Sequence, residues 1–183
     1  MLSDLPLPAL LEELAAPRAV PGSGSALALA LAAAAAVVEM GGRLSTAAWE
    51  DAAGVAAQAW ALRERAAALV QEDADAYRQA LDARRAAAGR SPEQRDFEVG
   101  RAFAAAAQPP LELARIAADV ADLARLVRAH GEQRVAPDAE AALALAAAVA
   151  RGARELVAAN LTALPADERV AEADRLAAAA AGR

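Results

Sequence analysis

Two aspartates stand two residues apart in Gln71-Glu72-Asp73-Ala74-Asp75-Ala76-Tyr77-Arg78-Gln79. On a helix, residues three and four apart share a face. Around Asp75 those positions hold Gln71, Glu72, Arg78 and Gln79, a solvated face with an ion-pair partner. Around Asp73 they hold Leu69, Val70, Ala76 and Tyr77, an apolar face with one phenol. A carboxylate in such surroundings is costly unless something pairs with it, and perturbed carboxylates gather at catalytic sites. Asp73 is the candidate functional carboxylate, with a structural hydrogen bond as the plainer alternative.

Other residues bear on the same chemistry. The loop Pro21-Gly22-Ser23-Gly24-Ser25 precedes a long apolar run and is able to cradle an anion with backbone N–H groups at a helix start. It has neither the lysine nor the preceding strand of a P-loop. Asn160 shares a face with Leu156, Val157, Ala163 and Leu164; a buried Asn needs partners, and a helix-to-helix hydrogen bond is the simplest. Asp138 follows Pro137, where capping is the default explanation. Glu39 lies four residues before Arg43, which predicts an intrahelical ion pair, and His130 beside Gly131 suits a helix C-terminus.

The elements that hold these residues are helices. The chain has 183 residues, 57% hydrophobic and only 3% aromatic, so Ala, Leu and Val fill the core. Alanine is the best helix former and β-branched residues are scattered. Leu7, Leu10, Leu11 and Leu14 predict a short first helix from a Ser3 or Asp4 cap to Ala16. Ser25 is expected to cap the central helix, Ala26 to about Leu44, which is apolar nearly all round and weakens at Gly41-Gly42. A third helix is expected from about Ala47 to Ala88. Ser91-Pro92-Glu93-Gln94 is a strong start signal for a fourth, which must kink or break at Pro109-Pro110 and resume to about Ala129. After a loop from Gly131 to Ala136, Pro137-Asp138 opens a helix to about Leu164, and Pro165 opens the last. The pattern fits one all-α domain over residues 1–183, an antiparallel bundle of long Ala-rich helices. A thin alanine core gains from burying more surface in an oligomer, and a dimer is expected.

The formal charge is -6 with no lysine, which leaves no nucleic-acid footprint. The absence of cysteine suits a reducing compartment, and one histidine cannot build a His-rich metal site. The uncharged run from Gly22 to Val38 is too alanine-rich and is closed too early by Glu39 and Arg43 to read as a membrane span. The opening Leu2-Ser3-Asp4 lacks the basic start of a signal peptide. A cytoplasmic protein without membrane partners is expected.

The motifs then match something. Ala19-Val20-Pro21-Gly22-Ser23-Gly24-Ser25, followed by the Ala-rich helix and Val38-Glu39-Met40, resembles the Pro-Gly-Gly-Gly-Ser segment of the formiminotetrahydrofolate cyclodeaminase and methenyltetrahydrofolate cyclohydrolase family. Asp73-Ala74-Asp75-Ala76-Tyr77 looks like its Asp-x-x-Ala-Phe/Tyr motif. Pro110-Leu111 with Ala114, Asp138 with Ala141-Ala142, and Asn160-Leu161 follow in register, so the resemblance runs from about Leu5 to Leu164. It implies a helical homodimer acting on a tetrahydrofolate derivative held near the subunit interface, as a hydrolase or lyase of one-carbon metabolism. Asp73 would be catalytic. Pro21, Gly22, Ser23, Gly24 and Ser25 would contact substrate, as would Asp138 and Asn160. The implied chemistry requires no metal or redox cofactor. Ser23 replaces the family's central glycine, Ser45-Thr46-Ala47-Ala48-Trp49 stands where relatives carry Gly-Lys-Lys, and Gly131-Glu132 stands for Gly-Asn. Those changes remove basic and amide groups able to hold folate's anionic tail. Two rivals stay open: a non-catalytic folate-binding relative, and a helical dimer serving as an interaction module.

Overall fold

The computed structural model describes residues 1–164 and 166–182. Seven α-helices account for most of the chain: α1 (Leu7–Ala15), α2 (Ser23–Leu44), α3 (Ala52–Ala86), α4 (Pro92–Ala106), α5 (Gln108–His130), α6 (Ala136–Asn160) and α7 (Glu168–Ala180). Short 3-10 turns cover Leu2–Asp4, Ala87–Gly89 and Gln133–Val135, and no strand occurs among the described residues. The fold class is all-helical, as the alanine content dictates.

Helix boundaries follow the sequence signals where a local side chain decides them. Ser91 caps α4 by accepting from the Gln94 N–H, with Pro92 as first residue. The helical run breaks at Ala107, and Pro109 and Pro110 sit in the first turn of α5, where a missing N–H costs nothing.

Elsewhere tertiary contacts move the ends. α1 starts after Pro6 rather than from a Ser3 or Asp4 cap, because Asp4 pairs with the terminal amine. Of the expected leucine stripe only Leu10 is buried; Leu7 and Leu11 are exposed. α2 starts at Ser23, capped by Gly22 and not by Ser25, whose hydroxyl instead donates to the Val70 carbonyl of α3. α3 starts at Ala52, later than expected, because Ser45 donates to the Gly41 carbonyl and accepts the Glu132 N–H, and the chain turns there. α6 stops at Asn160 rather than near Leu164. The last helix opens at Glu168 with Asp167 as its cap; Pro165, expected to open it, lies outside the described residues.

α2 is the central helix and packs on α3, α5 and α6. Small residues set the approach. Gly42 lies against Ala52 and Ala56, Gly41 faces Val127 so closely that a methyl group there would overlap it, and Gly152 of α6 receives Leu27. Around these contacts Leu31, Val38, Leu69, Leu113, Val120 and Val149 are buried, with alanines filling between them. Among the described residues α2 alone is long and apolar enough to cross a membrane, yet half of its most apolar stretch is buried in the bundle. It also carries the buried Glu39, held by Arg63 of α3 at 2.9 Å and by Arg43 one turn on. That is the wiring of a core helix.

Candidate active site

The first N–H groups of a helix lack partners within it. At the start of α2 no local side chain supplies one. From α3 the Asp73 carboxylate comes up to this helix start, where the nearby Ser25 N–H favours its charged form. The Ser25 hydroxyl, at 2.8 Å from the Val70 carbonyl, holds the two helices in the register this needs. Gly24 lies directly beneath the carboxylate, and a Cβ at that position would overlap its atoms. Gly24 is therefore required by close approach.

Asp73 opens onto a cleft of about 400 Å³. Gly22, Ser23 and Gly24 form one side, with Ala19 and Val20 of the preceding loop beside them. Tyr77 lies one turn beyond Asp73 on α3 and meets Phe103 of α4 edge to face, with ring centroids 6.0 Å apart at 83°. Leu156, Ala159 and Asn160 of α6 close the far side. The cleft thus has flat apolar walls, a row of backbone N–H groups at a helix start, and one carboxylate.

The electrostatics separate Asp73 from its neighbour. Burial pushes the Asp73 carboxyl up to about 6, against the opposing pull of the Ser25 N–H. No cationic side chain pairs with it among the described residues. Asp75 points away from the cleft, accepting from Gln71 at 2.9 Å and from Arg78 at 2.6 Å. An oxygen acid with both protonation states accessible near neutrality is suited to moving a proton.

The structure brings together Asp73, Gly22, Ser23, Gly24 and Asn160. Asn160 also makes the bond its surroundings demanded, Nδ2 donating to the Ala106 carbonyl at 3.0 Å. Pro21 and Ser25 are buried and do not line the cleft. Asp138 is exposed in the first turn of α6, 22 residues before Asn160 and so about 33 Å from the cleft along the helix. Within one chain it is not part of this site. The segment 45–49 and Glu132 also lie at that distant end, joined by the Ser45–Glu132 bond. Their departures from the family pattern therefore leave the cleft of the same chain untouched. Phe103 was not anticipated from the sequence, although scarcity was a signal: the chain has one Tyr and two Phe, and two of those three face the cleft.

Residues 6–179 match the family model described as Formiminotransferase-cyclodeaminase. In structure the chain is similar to the crystal structure of formiminotetrahydrofolate cyclodeaminase from Thermotoga maritima, with a TM-score of 0.87 over 100% of this chain and 93% of that one. Sequence identity is 21%, so this likeness speaks for the fold alone. No curated protein is significantly similar by sequence.

Proposed function

The chain belongs to the formiminotransferase-cyclodeaminase family, and from that premise we propose that it is an enzyme of folate one-carbon metabolism that uses Asp73 as general acid/base. The observation that carries the reading is the Asp73 carboxylate, lifted to about 6 and lodged over Gly24 in an aromatic-walled cleft. The substrate is a tetrahydrofolate derivative, and no metal or redox cofactor takes part.

Two reactions use the same groups. In cyclohydrolysis, water adds to the cationic methenyl carbon while the Asp73 carboxylate takes a proton from it. The carboxyl then returns a proton to the departing folate nitrogen as the carbon–nitrogen bond breaks. In cyclodeamination, the anilino nitrogen attacks the formimino carbon, and its proton is carried to the amino nitrogen, which leaves as ammonia. In both, the carboxylate also offsets positive charge beside the reacting carbon. Ser23 and the N–H groups of the first α2 turn contact the substrate, and Asn160 borders it.

The working form is an antiparallel bundle of one domain per chain, paired as a cytoplasmic homodimer. α2 and the neighbouring α6 both leave uncharged stripes open: Ala33, Met40 and Leu44 on one, Ala141, Ala144, Leu145 and Ala148 on the other. A two-fold axis across this face would set the far end of one chain beside the cleft of the other. That arrangement gives Asp138 a role, as Asp138 of the partner subunit at a substrate bound to Asp73.

The test is steady-state turnover of methenyltetrahydrofolate and formiminotetrahydrofolate, with calorimetric binding of folate and sedimentation alongside. Turnover of either substrate by a dimer is expected. Binding without turnover would leave a non-catalytic relative, and neither would leave a helical interaction module.

A further inference from the structure

The cleft at Asp73 does not end at Phe103. A second groove of about 500 Å³ continues from the same three residues, Phe103, Ala159 and Asn160. Its floor is α4, where Asp96, Val99, Gly100 and Phe103 fall at helical spacing on one face. Its far wall is the turn that follows α6, where Leu164 stands exposed. Its outer rim carries two guanidinium groups, Arg84 of α3 and Arg95 of α4.

Asp73, Tyr77 and Arg84 share one face of α3, with Tyr77 one turn and Arg84 three turns beyond Asp73, so Arg84 lies about 16 Å from Asp73 along the helix axis. Arg84 has no carboxylate partner among the described residues, in contrast to Arg85, which pairs with Asp82. Arg95 has only the adjacent Asp96, in an exposed contact at 3.1 Å. Two guanidinium groups against one carboxylate leave the rim positive, on a chain whose formal charge is -6. Gly100 keeps the floor open: a Cβ added there would meet nothing within 4 Å.

We infer that this groove is the subsite for the anionic tail of the substrate, with the aromatic ring of the tail passing Phe103 and its carboxylates reaching Arg84 and Arg95. The inference rests on the folate reading of the Asp73 cleft and assigns the direction in which the ligand lies. It also supplies, within one chain, the cationic groups that the segment 45–49 lacks. Guanidinium is suited to carboxylate through paired N–H donors, and the apolar floor suits a flat ring.

The test is calorimetric binding of three probes to the full chain: 5-formyltetrahydrofolate, p-aminobenzoylglutamate and a tetrahydropterin without the tail. Arg84→Ala/Arg95→Ala is expected to weaken 5-formyltetrahydrofolate about tenfold, the scale of two exposed ion pairs. It should weaken p-aminobenzoylglutamate likewise and leave the tetrahydropterin unchanged. Gly100→Phe, which adds a ring where a Cβ meets nothing within 4 Å, should produce the same pattern. Added salt should weaken 5-formyltetrahydrofolate on the parent more than on the double variant. Unchanged affinity of both tail-bearing probes in these variants overturns the subsite while leaving the folate reading standing. Failure of the parent to bind any of the three probes overturns both.

Discussion

Asp73 and Glu39 are carboxylates at the contact of α2 with α3, one from each helix, and their surroundings are opposite. Glu39 is buried with two guanidinium groups on it, Arg63 from α3 and Arg43 from its own helix. Asp73 has a backbone N–H, a glycine surface and an apolar cleft. A paired carboxylate locks two helices together, with both of its oxygens taken by guanidinium groups. An unpaired one, held by a neutral donor, keeps its protonation equilibrium near neutral pH. Burial alone therefore does not mark a reactive group; what marks it is burial without a countercharge and with access to a cleft.

The largest expected loss of stability tests the Glu39 half of this contrast. Glu39→Ala leaves a hole in the core and unpairs Arg63, about a third of whose side chain is exposed, and should cost about 2 kcal/mol, less than for a fully buried pair. Activity per folded molecule should be unchanged. Urea unfolding and turnover normalised to folded protein measure the two, and a loss of turnover without a loss of stability would place Glu39 in the chemistry.

Asp73→Asn should do the reverse and stabilise the fold. The folded state raises the Asp73 pKa from an unfolded value of about 3.9 to about 6. The fold therefore favours the protonated form. Its stabilising contribution is complete below about pH 4 and is lost as pH rises through 6. Above pH 6 the parent carries the desolvated charge and the variant does not. The variant should then be more stable by up to about 3 kcal/mol, less where the cleft admits solvent. Melting temperatures of the two proteins should converge near pH 4 and separate by pH 7. A constant difference across that range would mean that Asp73 does not titrate as described.

Smaller effects separate structural from site roles at the rim. Asn160→Ala removes the bond to the Ala106 carbonyl and should cost about 1 kcal/mol. If Asn160 also borders the substrate, KM should rise as well. Ser91→Ala removes the α4 cap and should also cost about 1 kcal/mol without touching KM.

The same contrast explains what was legible in the sequence. Helix existence, the Ser91 cap and the break at Pro109 depend on residues close in the chain, and all were readable. The apolar face of Asp73 was readable for the same reason. The start of α2 was not, because Asp73, some 50 residues on, faces its first turn, and the Ser25 hydroxyl bonds Val70 instead of capping. The late start of α3 depends on a bond from Ser45 to Glu132, farther still. Arg63 on Glu39 was missed because only the i,i+4 partner is visible along one helix. Asp138 and Asn160 were grouped as contacts of one ligand, yet α6 holds them at its two ends. A motif order along the chain does not say which subunit supplies each residue.

The most direct measurement is turnover of Asp73→Asn against the parent, with methenyltetrahydrofolate and formiminotetrahydrofolate, across pH 5 to 8. The amide keeps the volume and can accept the Ser25 N–H, but it cannot take a proton or offset developing positive charge. Turnover is expected to fall by roughly 10²-fold or more while 5-formyltetrahydrofolate still binds, and the parent's rate should fall as pH drops below about 6. Parent-level turnover in the variant would contradict the assignment of Asp73 as the acid/base.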